Sequence, residues 1–141
     1  MKEKDEEYTM EELSSNLLEE GLGYMKTLKR YLTKPSRFDD ELLFNMTVIC
    51  YEKFLTALIT HYNEMPLSHE PSALFEEAQK QDGGLTKEMG ETMNQIKSHE
   101  SICSFENKGY KVPTSKKLKE IISGLIPIEQ YISKKVKQPV V

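Results

Sequence analysis

The side chains of this sequence that could serve as metal ligands, nucleophiles or acid–base groups near neutral pH are three histidines and two cysteines. His99 and Cys103 form an H-E-x-x-C run, whereas the zinc-binding helix of metalloproteases needs a histidine in place of the cysteine. His61 and His69 could join them, but four ligands at a recognised spacing are absent. Cys50 has no metal-site spacing to Cys103. We therefore predict no metal, and no cofactor is indicated.

His69 has the best case for a functional role among the histidines. It stands just before Pro71, which is well tolerated in the first turn of a helix. His69 either contacts a nucleotide phosphate, or it caps or orients that helix, and we favour the local structural role. The segment 82–84, Asp-Gly-Gly, could present backbone N–H groups to a phosphate. It lacks the P-loop lysine spacing, so we predict a plain turn there.

Glu52 and Lys53 are two adjacent charges within the apolar stretch 41–62. Neighbouring helix positions point about 100° apart, so the two side chains do not face each other. One interpretation places both at the edge of the core, because buried charges are rare unless paired. The other places one in a solvent-exposed groove and pairs its neighbour across a dimer interface. A charge at a bilayer centre costs about 3 kcal/mol, so we do not expect this helix to span a membrane.

The fold prediction starts from the same stretch, whose apolar residues cover every side of a helix. A helix that is apolar all round is buried, so it should lie in the middle of a bundle. Helical spacing and capping signals predict a long helix before it, two shorter helices after it, a loop over 98–113 and a long last helix. The boundaries are marked by Thr9 with Glu12 (a capping box), Pro35, Asp39 or Asp40, Pro66, Pro71, Asp82, Thr86 and Thr114. No stretch alternates as a strand, which predicts an all-α, up-and-down bundle of four to five helices.

Composition and length predict one domain with ordinary solubility. We expect a single helical domain over 9–137, a disordered acidic N-terminus over 1–8 and a disordered tail over 138–141. The 141 residues carry a net charge of −4, although 107–141 holds eight lysines and two glutamates. No aromatic residues interleave with those lysines, so RNA binding is only weakly indicated. Two cysteines without a framework and the absence of an apolar leader predict a cytoplasmic protein.

The central helix and the turn that follows it resemble the HEPN family (higher eukaryotes and prokaryotes nucleotide-binding domain). The resemblance lies in ICYEKFLTAL at 49–58, PLSHEPSALF at 66–75 and Tyr-Lys-Val-Pro at 110–113. It implies a helical bundle that often dimerises, frequent pairing with a small nucleotidyltransferase and, in many members, RNA cleavage. The residues it points to as ligand-binding are Glu52, Lys53, His69, Tyr110 and Lys111.

This chain departs from the ribonuclease members of that family. They carry Arg-x(4–6)-His, in which the arginine stabilises phosphate charge and the histidine acts as acid or base. Neither Arg30 nor Arg37 has a histidine at that range, and His99 has no arginine before it. We therefore expect no catalytic residue and a non-catalytic, homodimeric binding module that binds a nucleotide or pairs with a nucleotidyltransferase. The alternative is a HEPN-type ribonuclease with a non-standard active site.

Overall fold

A computed structural model describes residues 9–100 and 112–137, which form five helices. They are α1 (Met10–Thr33), α2 (Asp40–His61), α3 (Pro71–Gln81), α4 (Lys87–Glu100) and α5 (Ser115–Lys137). The predicted all-α bundle is confirmed. The disorder predicted for 1–8 and 138–141, and the candidate residues Cys103, Tyr110 and Lys111, lie outside the described residues.

Side-chain caps begin the helices where the sequence predicted them. The Thr9 hydroxyl accepts the N–H of Glu12 at 3.0 Å, and the Glu12 carboxylate accepts the N–H of Thr9 at 3.1 Å. This reciprocal pair is the predicted capping box. Asp39 caps α2, while Thr86 and Thr114 cap α4 and α5. Each cap satisfies a backbone N–H that has no partner inside the helix.

The end of α4 differs from the prediction. We expected a loop from residue 98, but the helix continues to Glu100. Ile96 is fully buried, and the His99 ring packs edge-on against Phe44 with 5.8 Å between ring centroids. The last turn therefore gains a tertiary contact that helical periodicity does not reveal.

Side-chain contacts fix the directions of the first two helices. Ser14 Oγ, near the start of α1, donates to the carbonyl of Ala57, near the end of α2, at 2.6 Å. Tyr31 Oη, at the other end of α1, donates to Asp40 Oδ1 at 3.2 Å. The two helices are therefore antiparallel, as their short connection predicted.

The remaining helices continue the alternation, apart from short α3. Ser115 at the start of α5 contacts Asp40 at the start of α2, so these two helices run the same way. A Cβ on Gly124 of α5 would overlap the Thr92 side chain of α4, so the two helices lie close together at this glycine. α3 lies beside the second half of α2, because the Tyr51 hydroxyl donates to the Pro71 carbonyl at 2.9 Å.

α2 is the central helix, and Gly21 of α1 lets the two long helices approach closely. An added Cβ at Gly21 would lie 2.7 Å from Phe54 Cε1, well inside van der Waals contact. Cys50 Sγ reaches the Gly21 carbonyl at 3.4 Å, and burial raises the pKa of this thiol. A glycine within a helix costs about 1 kcal/mol of helix propensity relative to alanine, and the close approach of α2 is the compensation at Gly21.

Because α2 is apolar on every side, it is long and apolar enough to cross a membrane. Most of its most apolar window, 61%, is buried against the other helices. The core helix of a globular bundle meets the same criterion of length and composition. It is the only such helix in the described ranges, and the expectation that it does not span a membrane stays a prediction.

One ion pair ties α1 to α5 beside the core. Lys29 Nζ lies 2.9 Å from Glu129 Oε1 and 3.0 Å from Oε2, and it donates its hydrogen bond to Oε2. The Glu129 side chain is buried, and its negative charge adds to the burial that raises the pKa of Cys50. Removing Lys29 would leave a buried carboxylate without its cation, which is the costly half of such a pair.

Candidate functional site

Lys53, one of the residues selected from the sequence, is paired within the chain. Its Nζ lies 2.7 Å from Glu20 Oε1 of α1, and both side chains are partly exposed. Lys53 thus has a partner within its own chain, and the interpretation in which Glu52 pairs across a dimer interface stays a prediction. The spacing of Glu52 and Lys53 does not reveal this partner, because Glu20 lies on the antiparallel helix, far away in sequence.

Glu52 and His69 lie near each other, at the side of α2 that faces the start of α3. Burial raises the pKa of the Glu52 carboxyl, while the positive charges of His69 and Lys53 act in the opposite direction. His69 is exposed and does not cap α3. That role belongs to Glu70, whose Oε1 accepts the N–H of Ala73 at 2.9 Å. The predicted capping by His69 is wrong, because the next residue already supplies a better acceptor.

His61 and His99 lie near opposite ends of α2, the first in α2 itself and the second in α4. His99 packs on Phe44, and His61 ends the helix 17 positions later, about 25 Å along the axis. They do not form a common site. Within 9–100 and 112–137, no group of three or more histidine, cysteine or carboxylate side chains is placed to hold a metal ion.

The turn at 82–84 holds a buried carboxylate that the sequence did not single out. Asp82 Oδ1 accepts the Tyr131 hydroxyl at 2.5 Å and the N–H of Gly84 at 2.8 Å. Its Oδ2 accepts the Tyr62 hydroxyl at 2.7 Å, and Lys135 Nζ lies 3.8 Å away. We call these five residues the Asp82 cluster; it joins the end of α2 and the α3–α4 turn to α5.

The Asp82 carboxylate has its hydrogen-bond donors within the Asp82 cluster. Burial alone would raise the pKa of Asp82, but the hydrogen bonds from Tyr131, Gly84 and Tyr62 lower it overall. The same burial and the bond to Asp82 raise the pKa of Tyr62 to about 12. A carboxylate that accepts three hydrogen bonds has little acceptor capacity left for a ligand. The cluster therefore holds helices together.

The opposite end of the bundle contains a cavity with two arginines. It has a volume of about 460 Å³ and is formed by the last turns of α1 and the α1–α2 loop. We call it the arginine cavity. Its lining residues are Thr27, Arg30, Tyr31, Pro35, Ser36, Arg37 and Phe38. The volume lies within the range of small-molecule sites.

Neither arginine of that cavity forms an ion pair with any residue that the structure describes. The acids closest in sequence are engaged elsewhere. Asp39 accepts the N–H of Leu42, and Asp40 accepts the hydroxyls of Tyr31 and Ser115. Two arginines thus line one cavity, and no ion pair joins either of them to a described carboxylate.

An apolar groove adjoins the arginine cavity on the outer face of α1 and α2. It measures about 430 Å³ and shares Thr27 and Phe38 with the cavity. We define the apolar groove by its lining residues, which are Glu20, Gly23, Tyr24, Thr27, Phe38 and Met46. Phe38, in the α1–α2 loop, is 39% exposed, and Leu42, in the first turn of α2, is 44% exposed. This is the part of the apolar central helix that the other described helices leave uncovered.

Comparison with protein-family models, with curated proteins and with solved structures gave no match. The HEPN resemblance therefore stays a prediction from the motifs at 49–58, 66–75 and 110–113.

Arg30 and Arg37 entered the predictions only as possible partners of a histidine. The signal it missed is local. Arg30 and Arg37 flank Pro35, which ends one helix and reverses the chain before the next. The chain reversal brings Arg30 and Arg37, seven positions apart, to the same cavity.

Proposed function

We propose that this protein is a non-catalytic helical interaction module that works as a homodimer, with the apolar groove as the face between the two copies. The observation that carries the proposal is the apolar surface formed by Tyr24 of α1, Phe38 of the α1–α2 loop and Met46 of α2, which line one groove. Exposed apolar patches of this kind mark interaction sites. A two-fold axis places the same patch of each copy against itself, which is the commonest oligomer arrangement.

The arrangement of titratable groups supports a non-catalytic role. RNA cleavage by its 2′-hydroxyl needs a base, an acid and positive charge at the phosphorane. The arginine cavity lies near Asp40, and Glu52 with His69 lies 12 positions further along α2, about 18 Å along the axis. One phosphate group cannot contact both places, so the cations and the acid–base pair do not act together.

The HEPN resemblance extends this proposal to a nucleotide ligand and to a small nucleotidyltransferase as an alternative partner on the same face. Cytoplasmic location without membrane attachment belongs to the same proposal. A nucleotidyltransferase would compete with the second copy of the chain for the apolar groove, because both would bury the same aromatic and aliphatic side chains.

Light scattering at micromolar concentration tests the dimer. We expect about twice the chain mass of 16.3 kDa for the native protein. A Tyr24→Glu variant should be monomeric, because Tyr24 lines the apolar groove and is 36% exposed, so the substitution places a charge within that face. Leu67→Glu is the matched control: Leu67 is 92% exposed but lies in the α2–α3 loop, away from the groove. A native monomer, or the same mass for both variants, would contradict the proposal.

A ribonuclease is the second candidate, and the nearness of Glu52 and His69 is the observation that favours it. A carboxyl group whose pKa is raised by burial, beside an imidazole, is a recognised acid–base combination. Labelled single-stranded RNA should be incubated with the native protein and with His69→Ala. We expect no cleavage by either. Cleavage that the substitution abolishes would make His69 catalytic and replace the first proposal.

A further inference from the structure

We propose that the arginine cavity is a binding site for phosphate, in which the guanidinium groups of Arg30 and Arg37 bind the dianionic group of a phosphomonoester. Both arginines of the chain line this one cavity of about 460 Å³. The site lies within a single chain, so it does not depend on the proposed dimer. A failure of the dimer test leaves it unchanged.

A structural role accounts for only part of the arrangement. Arg30 lies in the last turn of α1, where a cation stabilises the negative end of the helix dipole. That effect explains one positive charge and does not explain a second guanidinium lining the same cavity. Arg37 is followed closely by Asp39 and Asp40, yet no ion pair joins it to either; Asp39 caps α2, and Asp40 accepts the hydroxyls of Tyr31 and Ser115. An anion in the cavity would supply the counter-charge that both arginines lack among the described residues.

The chain that carries the two arginines is held in place. Ser36 Oγ accepts the N–H of Phe38 at 3.0 Å, which fixes the turn on both sides of Arg37. The Arg30 carbonyl accepts the N–H of Lys34 at 3.0 Å, which closes the last turn of α1. The guanidinium groups therefore extend from a fixed backbone, and less ordering is required when a ligand binds.

The chemistry of the lining selects an oxyanion with several acceptor oxygens. A guanidinium group donates two parallel hydrogen bonds to phosphate oxygens, and two such groups can share one phosphate. The hydroxyls of Thr27 and Ser36 add neutral donors to the same cavity. A carboxylate offers only two oxygens, whereas a phosphomonoester offers three terminal ones and leaves its ester group free to extend out of the cavity.

The first measurement is isothermal titration with inorganic phosphate, glycerol 3-phosphate and adenosine monophosphate, with adenosine as the unphosphorylated comparison. We expect the three phosphates to bind and adenosine not to bind. Similar affinities for the two esters would identify the phosphate as the recognised group, and tighter binding of the nucleotide would identify its source. Binding should weaken as ionic strength rises, because the site is exposed. Binding of adenosine as tight as that of its monophosphate would overturn the proposal.

Variants locate the site. Arg30→Gln and Arg37→Gln should each weaken phosphate binding by about tenfold or more, the usual loss for a charged hydrogen-bonding group. Arg37→Lys should recover part of the affinity, because it keeps the charge and loses the paired donors. Lys26→Gln removes an exposed cation of α1 that lines no part of the cavity, and it should leave binding unchanged. Equal weakening by Lys26→Gln, or full affinity in both glutamine variants, would overturn the proposal.

Discussion

The two ends of the bundle treat charge in opposite ways. At one end, the Asp82 side chain is 4% exposed and accepts hydrogen bonds from two tyrosines and a backbone N–H. At the other, Arg30 and Arg37 line an open cavity and pair with no carboxylate among the residues that the structure describes. The first end therefore uses its charge to hold helices together. The second has charge available for a ligand.

This contrast separates structural polar groups from functional ones without reference to conservation. A buried charge must find its partners in the protein, because leaving it unpaired is costly. An exposed charge has no such requirement, and its lack of partners becomes informative only where it shares a cavity with a like charge. Substitutions in the Asp82 cluster should therefore lower the unfolding free energy more than substitutions of the arginines. Phosphate binding should instead be weakened by substitutions of the arginines.

The largest expected effect is the loss of Asp82. Asp82→Ala leaves the hydroxyls of Tyr62 and Tyr131 without their acceptor, and we expect unfolding free energy to fall by about 3 kcal/mol. Asp39→Ala, at the other end, removes one exposed helix cap and should cost about 1 kcal/mol. Urea denaturation of both variants measures the difference. Equal losses would show that the Asp82 cluster is no more structural than a surface cap.

A second test keeps Asp82 and disturbs its partner. A Cβ at Gly84 would overlap the Tyr131 hydroxyl, whereas a Cβ at Gly83 meets nothing within 4 Å. Gly84→Ala should therefore cost about 1–3 kcal/mol through overpacking. Gly83→Ala should stay within about 0.5 kcal/mol of the native protein. The matched pair separates the effect of the overlap from that of adding a methyl group to this turn, and indistinguishable melting curves would contradict the geometry.

The pH dependence of stability provides a third test. The folded pKa of Asp82 is lowered, so its contribution is fully present above the unfolded value of about 3.9. It is lost as pH falls through the lower folded value. The difference in unfolding free energy between the native protein and Asp82→Asn should therefore be constant near neutrality and shrink below about pH 4. A difference that stays constant down to strongly acidic pH would mean that Asp82 is not held ionised.

The sequence predicted the parts of the fold that depend on neighbouring residues. The Thr9–Glu12 capping box and the Thr114 cap are local patterns four residues long, and both are present. The buried face of α5 follows helical periodicity, and its apolar residues are fully buried: Leu118, Ile121, Ile122, Leu125, Ile128 and Ile132. Each of these features is encoded within one helix, so no tertiary information was needed.

The features that the sequence missed depend on distant partners. Asp82 is bound by Tyr62 and Tyr131, which lie 20 and 49 positions away, and an Asp-Gly-Gly turn looks the same whether it is buried or exposed. The arginine cavity was missed for a different reason. The ribonuclease pattern relates an arginine to a histidine at fixed spacing. It contains no information on whether the chain reversal at Pro35 brings Arg30 and Arg37 to the same cavity.

The smallest expected effect on stability lies at the arginine cavity, where the comparison is sharpest. The double variant Arg30→Gln/Arg37→Gln should change the unfolding free energy by no more than about 0.5 kcal/mol, because neither side chain forms an ion pair with a described residue. Phosphate should then distinguish the proteins. At tenfold excess over its dissociation constant it should stabilise the native chain by about 1.4 kcal/mol and leave the double variant unchanged. A double variant that is strongly destabilised without phosphate would assign the arginines to the fold and remove the contrast between the two ends.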